Sequence, residues 1–376
     1  MTSLADHASP RWCAQPAAAS WSCQPPPSQA AAFHRSLPGY RPTPLRDVPS
    51  LAVEWGVRRV AVKDESARLG LPAFKALGVF YAVYRVVQAR LGTDVAPDLG
   101  SLRAAAHRIP SLQLVTATDG NHGCALAHVA RLLGVTARVV VPDVVASEAI
   151  EAIRREGAEV VVVAEDYDTA VARAAADADA RPGAVLVQDT AWDGYETIPQ
   201  FIVDGYSTMF AEVDEQLASD TASLVVTPVG VGSLTQAVVT HYKSRGRRVS
   251  VLGVEPDSAA CVQASLRARR PVSVATGSTV MAGLNCGTPS SLAWPYLRDG
   301  LDASVTVTDT QALAASRRLM EAGISAGPCG AACVPAVRGV LADLAGREAL
   351  GLTPDSVVVL LSTERSAPSA GTAPRE

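Results

Sequence analysis

No block of Lys or Arg interrupts this 376-residue chain, and its formal net charge is −4. Nothing in it attracts a phosphate backbone, so nucleic acid is not an expected partner. No stretch approaches the ~20 apolar residues that a membrane span needs. No basic start followed by an apolar run opens the chain, and a cytoplasmic protein is expected. Cysteine is scarce and odd in number: Cys13, Cys23, Cys124, Cys261, Cys286, Cys329 and Cys333. Thiols scattered so widely do not make the disulfide framework of a small secreted domain. Cys329 and Cys333 look like half a metal site, but no second Cys pair or His pair completes a zinc set, and no metal is expected. Internal repeats and long linkers are also lacking.

What is present is the balance of a globular protein, 48% hydrophobic and 19% charged. The length suffices for one large or two ordinary domains. Residues 1–30, rich in Ala, Pro, Ser and Gln, are expected to form a disordered or loosely attached arm, and residues 366–376 a flexible tail. Between them, short Val-rich runs alternate with amphipathic stretches. Strands are expected over 59–62, 112–116, 137–141, 159–163, 185–187, 224–227, 250–254, 304–307 and 356–361. Helices are expected over 73–91, 121–133, 147–157, 167–180, 310–322 and 330–345, with one more starting at Ser233. Apolar strands alternating with helices predict an α/β fold with parallel sheets covered on both faces.

In such folds ligands sit where strands end and helices begin. Four segments hold that position. In VKDESARLGLPAFKALG (Val62–Gly78), Lys75 opens a helix between Phe74 and Leu77. A lone lysine is usually a solvated surface charge. A helix N-terminus, however, is a poor place for a cation. A lysine that forms a Schiff base resolves that conflict. TATDGNHG (Thr116–Gly123) is a polar loop whose following helix offers free N–H groups to an anion. A structural Asx turn with a helix cap is the default reading of Asn121 alone, and His122 reads first as a structural histidine. VQDTAWDGYETIP (Val187–Pro199) crowds acidic groups after a strand. There Asp193 and Glu196 suit the helix start, while Asp189, nearest the strand end, is the better site candidate. TPVGVGSLTQA (Thr227–Ala237) suits a phosphate cradled by backbone amides at Gly230, Val231, Gly232, Ser233 and Leu234. Dinucleotide binding is its rival, weakened because the spacing is not G-x-G-x-x-G.

Taken together, these segments resemble the tryptophan-synthase-β-like (fold type II) pyridoxal-phosphate enzymes. The resemblance implies that Lys75 holds the cofactor aldehyde and that Asn121 faces the pyridine ring. It further implies that Gly230–Leu234 bind the phosphate and that Ser362 or Thr363 meets the ring nitrogen. Longer runs are similar to the diaminopropionate ammonia-lyase family: FHRSLPGYRPTPL (Phe33–Leu45), KDESARLGLPAFKALG, TDGNHG, QDTAWDGYETIP, MAGLNCGTPSSLAWP (Met281–Pro295) and LLSTE (Leu360–Glu364). This likeness spans roughly Ala32 to Glu364 and implies α,β-elimination of a small amino acid, 2,3-diaminopropionate, to pyruvate and two ammonia. Asp119 stands where serine and threonine dehydratases carry Ser. A carboxylate there suits a substrate whose β-amine must be held as ammonium. Asp119 and Asp189 are thus implicated in proton transfer or ammonium binding, and on different loops they would serve opposite faces of Cα, allowing both D- and L-substrates.

The chain departs from the pattern at Arg365, where a glycine is expected, and at Pro328 and Cys329, where Glu and Ser are expected. Alternatives are another β-elimination enzyme of the serine/threonine dehydratase kind, a β-replacement synthase, and a non-catalytic pyridoxal-phosphate module. The resemblance also implies a homodimer. The expected architecture is a large domain of residues 31–75 and 181–365, a smaller one of 76–180 inserted into it, and the cofactor between them. Cys261 and Cys286 both follow strand ends near this cleft, so either an approach between them or two separate buried thiols is expected.

Overall fold

The computed structural model describes residues 12–366 except Asp119, Glu165, Arg245 and Arg247. Eleven strands run along the chain. They are β1 (Trp12–Ala14), β2 (Leu45–Asp47), β3 (Arg59–Asp64), β4 (Gln113–Ala117), β5 (Thr136–Pro142), β6 (Glu159–Val163), β7 (Ala184–Leu186), β8 (Leu224–Pro228), β9 (Ser250–Pro256), β10 (Ala303–Val307) and β11 (Val357–Ser362). Seven form one sheet in the order β1-β10-β9-β8-β11-β3-β2, and four form a second in the order β6-β5-β4-β7. The second sheet is parallel throughout, and the first is parallel except at its two edge strands. Val-rich strands such as β11, buried along its whole length, fit the centre of a sheet covered on both faces.

The helix Lys75–Leu91 packs on the helices Thr197–Leu217 and Asn121–Leu133. Two glycines set the first of these contacts. A Cβ on Gly78 would lie 2.6 Å from the Tyr206 ring, and one on Gly205 would lie 2.6 Å from the Leu77 carbonyl oxygen. The backbones therefore meet directly, which steadies the first turn that carries Lys75.

Three expectations need correction. The stretch expected as a loose arm is docked from residue 12 onward. β1 pairs antiparallel with β10, the N–H of Gln15 donates to the Asp302 carbonyl (2.7 Å), and Trp21 packs edge-on against Tyr296. An open sheet edge offers unpaired backbone groups, and this segment takes them up. Residues 1–11 and 367–376 lie outside the described residues. The single helix expected over 330–345 is three pieces, Pro328–Ala331, Cys333–Leu341 and Leu344–Ala349. Pro335 has no N–H for the carbonyl four residues back, and Asp343 caps a new helix by accepting from Ala345. Lastly, β7 joins the smaller sheet through β4, so that sheet extends past residue 180 to Leu186.

Candidate active site

A cleft opens where β3, β4, β7, β8 and β11 end. Lys75, Asn121, Asp189, the glycine loop 230–234 and Thr363 all line it, so the four sequence segments converge. Asp119 lies outside the described residues. Ser362 does not line the cleft, and Asp193 and Glu196 border a separate shallow depression with Trp21 and Tyr296.

Lys75 is held at the cleft by the loop that follows β3. The side chain of Arg68, fully buried, pairs with Glu65 and Glu212 and fixes the loop's near end. At its far end the Phe74 N–H donates to the Thr363 carbonyl (3.1 Å), and Ala73 bridges to Glu364. The Lys75 ammonium donates to Asp189 Oδ2 and lies 5.4 Å from the centre of the Phe74 ring. The chain holds only two other lysines, and both are committed elsewhere. Lys63 donates to Glu212 (2.6 Å) and Lys243 to Asp302 (2.7 Å), each pair buried. Lys75 is the one lysine that reaches the cleft, and the scarcity of lysine is a signal the sequence already carried.

Asp189 is 4% exposed. Burial alone would push its carboxyl up, but the adjacent Lys75 outweighs that and holds it well below the usual carboxylate range. The Tyr167 hydroxyl lies 3.5 Å from Asp189 Oδ1. Gln188 Nε2 donates to the Tyr167 oxygen (2.9 Å), while its Oε1 accepts from Thr116 (2.8 Å) and from the Ala117 N–H (3.0 Å), joining the ends of β4 and β7. Tyr167 and Glu364 were not singled out from the sequence. Nothing along the chain pairs Tyr167 with Asp189; only the fold brings them together.

In the loop after β4, Thr118 Oγ1 accepts from the N–H groups of Gly120 (2.9 Å) and Gly123 (3.0 Å). A Cβ on Gly123 would collide with Thr118 and lie 2.8 Å from Val139. The turn thus delivers Asn121 to the cleft at the start of the helix Asn121–Leu133. The glycine loop behaves alike. Gly232 adopts φ +103° just before the helix Ser233–Lys243, and a Cβ there would lie 2.5 Å from Leu297 Cδ1. Backbone N–H groups at that helix start are presented bare, as an anion requires.

At the end of β11 the Glu364 carboxyl accepts from the N–H groups of Cys329 (3.0 Å) and Gly330 (3.3 Å) and from the Thr363 hydroxyl. Burial pushes the Glu364 carboxyl up. The Ser362 hydroxyl is buried with no hydrogen-bond partner among the described residues. Of the departures, Cys329 lines the cleft, whereas the Arg365 N–H donates to the Pro72 carbonyl (2.8 Å) and Arg365 itself does not reach the wall. None of the seven cysteines forms a disulfide. Cys261 Sγ lies 3.9 Å from the Gly230 carbonyl oxygen, and a Cβ on Gly230 would lie 3.1 Å from Cys286 Sγ, so the two thiols flank one residue without a bond between them. No group of three or more His, Cys, Asp or Glu side chains suited to a metal occurs among the described residues, and no described helix is long and apolar enough to cross a membrane.

This donor set fits pyridoxal phosphate. An amine reaches the cleft, a glycine loop and helix start line it with that amine, and an orphaned buried hydroxyl adjoins a wall residue, Thr363.

The family model of the pyridoxal-phosphate dependent enzymes matches residues 36–364. The diaminopropionate ammonia-lyase of Salmonella typhimurium is 36% identical over 362 residues, 89% of this chain and 88% of that protein. The crystal structure of diaminopropionate ammonia-lyase from Escherichia coli in complex with an aminoacrylate–PLP azomethine reaction intermediate superimposes with a TM-score of 0.85 at 31% identity, covering 95% of this chain and 94% of that one. The same enzyme in complex with D-serine superimposes with a TM-score of 0.84 at 31% identity, again over 95% and 94%.

Proposed function

As the chain belongs to the pyridoxal-phosphate dependent enzymes, and among them to the diaminopropionate ammonia-lyase family, we propose that it converts 2,3-diaminopropionate and water to pyruvate and two ammonia. The observation that carries this reading is Lys75 in contact with Asp189 at the wall of a cleft that also holds Asn121 and the glycine loop. Lys75 would hold the cofactor covalently, Gly230, Val231, Gly232, Ser233 and Leu234 its phosphate, Asn121 its ring, and Ser362 or Thr363 its ring nitrogen. When bound, pyridoxal phosphate supplies the electron sink for the pair left on Cα after its proton is removed.

The chain's own groups do the rest. Asp189, kept ionised beside Lys75, accepts a proton or holds the substrate's β-ammonium. Asp119, one residue from the glycine turn of the Asn121 loop, does the same from a second loop. Carboxylates in a water-poor cleft attract an ammonium far more than in bulk water, and a serine hydroxyl gains nothing comparable. Diaminopropionate is therefore expected to be turned over much faster than serine or threonine, read as pyruvate release across a panel of β-substituted amino acids. Faster turnover of serine or threonine would overturn the substrate assignment, and trapping by added thiols with loss of pyruvate would make the protein a β-replacement enzyme.

The two aspartates separate by stereochemistry. Asp119→Asn and Asp189→Asn are each expected to lower turnover of one enantiomer by ~10²-fold or more, each a different one, while the cofactor still binds. Equal small losses on both isomers would remove that residue from the chemistry. The same reading includes a homodimer, suggested by the family resemblance and checked by light scattering. It also includes a smaller domain, from about residue 76 to the end of β7 at Leu186, inserted into a larger one and supported by the confinement of the four-stranded sheet to residues 113–186.

A further inference from the structure

His122 is the second residue of the helix Asn121–Leu133, lines the cleft and is 2% exposed. Its Nε2 lies 2.7 Å from the Val187 carbonyl oxygen. A carbonyl only accepts, so Nε2 carries the hydrogen and Nδ1 of the neutral ring is left with a bare lone pair. That Nδ1 has no hydrogen-bond partner among the described residues, although it is buried. It faces Asp189 Oδ2 at 3.7 Å, the same oxygen to which Lys75 donates.

Two acceptors turned toward each other in a buried site are costly unless a proton enters between them. The neighbouring groups keep that proton out at rest. Burial pushes the imidazole down, Lys75 adds to that, and the helix N-terminus disfavours a cation. Asp189 and, less strongly, the hydrogen bond to the Val187 carbonyl favour the imidazolium. Tyr167 and Gln188 lie on the other oxygen of Asp189, at 3.5 and 3.4 Å, while Lys75 and His122 are turned to Oδ2. Once Lys75 is engaged with the cofactor, a proton arriving on Asp189 meets the bare Nδ1.

We propose that His122 is a positioning residue that takes over the proton Asp189 accepts from substrate Cα. This rests on the reading of Asp189 as the proton acceptor for one enantiomer. The Cα–H bond breaks and its proton lands on Oδ2 and moves to Nδ1, while the electron pair left on Cα becomes the second Cα–Cβ bond as the Cβ–N bond breaks and the β-ammonium leaves as ammonia. Asp189 is thereby ionised again and free to hold the leaving ammonia, which takes the proton from His122 and departs as ammonium.

The test is His122→Gln in the holoenzyme. Glutamine can keep a donor toward the Val187 carbonyl while lacking the Nδ1 base, so the fold and the cofactor spectrum are expected to be unchanged. For the enantiomer that depends on Asp189, kcat is expected to fall ~10²-fold, at the lower end of what a proton acceptor contributes, with KM unchanged and the acid limb of its pH profile moved. The other enantiomer is expected to be unaffected. Losses equal on both enantiomers, or none, overturn the proposal. If Asp189→Asn harms one enantiomer and His122→Gln does not, His122 alone is excluded; if Asp189→Asn harms neither, the reading of Asp189 itself has failed. A second readout needs no turnover: nitrogen NMR of the resting protein is expected to show hydrogen on Nε2 and a bare Nδ1. A protonated Nδ1 at neutral pH overturns the proposal, because no place would remain for the incoming proton.

Discussion

Lys75→Ala protein is expected to be colourless and inactive, with the two losses inseparable. On the proposed reading, the covalent anchor of the cofactor and the amine that would handle protons are one group, the one in contact with Asp189. The loss of turnover should therefore exceed the ~10⁴-fold upper end of acid–base contributions. Borohydride reduction of the wild-type protein should fix pyridoxal phosphate on the peptide that contains Lys75. Three lysines make the assignment clean, because Lys63 and Lys243 are each buried in an ion pair with a carboxylate. Label on either of those peptides, or none on Lys75, would sink the central assignment. The alanine variant also strips Asp189 of its cation, which destabilises a buried carboxylate in its own right. Lys75→Arg keeps a cation there but forms no stable link to an aldehyde, and it should be equally colourless and inactive while retaining more of the thermal stability.

The second large effect is on stability and lies away from the cleft. Glu212 accepts from Arg68 (2.7 and 2.8 Å), from Lys63 (2.6 Å) and from the Tyr40 hydroxyl (2.7 Å), with Arg68, Lys63 and Glu212 all at most 1% exposed. Glu65 is the only other carboxylate touching Arg68 among the described residues. Removing Glu212 leaves two buried cations facing one carboxylate. Glu212→Ala is expected to lower unfolding stability by ~3–5 kcal/mol, as when one partner of a buried pair is deleted, measured by denaturant titration. Burial alone would push the Glu212 carboxyl up, but Arg68 and Lys63 outweigh it and hold it at about 2. A carboxyl depressed on folding binds its proton less readily in the native state than in the unfolded chain. Its stabilisation is complete above the ordinary carboxylate range and drains away as pH falls toward about 2. Acid unfolding of Glu212→Gln should lack this component, so its stability should change less between pH 4.5 and 2 than that of the wild type. An unchanged acid profile would show that the pair contributes nothing specific.

The network also bears on the cleft. Arg68 anchors the loop that ends at Lys75, and Lys63 belongs to β3, from which that loop departs. Part of the activity lost in Glu212 variants should therefore be restored by saturating pyridoxal phosphate, since the loop rather than the chemistry has been loosened.

Local pattern and tertiary structure decided different things here. Val-rich runs of period-free hydrophobicity determined the buried parallel strands. The glycines at 134 and 92, both left-handed, stopped the helices beginning at Asn121 and Lys75. The order of Lys75, Asn121, the glycine loop and Ser362–Thr363 along the chain carried the resemblance that implied the cofactor, and the first three lie between a strand and the start of a helix, where the backbone chemistry is local. Three features were not local. The stretch from Trp12 to Trp21 has the composition of a loose arm, and only the open edge of β10 and the face of Tyr296 hold it in place. The contact of Lys75 with Asp189 joins residues 114 positions apart and depends on how the two sheets meet. The bare Nδ1 of His122 is set by a carbonyl 65 residues away, at Val187. Sequence determines which turns can hold a ligand, since a turn is closed by its own residues. Which side chains share a proton depends on distances of a few ångströms across the cleft, and those are decided only when the sheets pack.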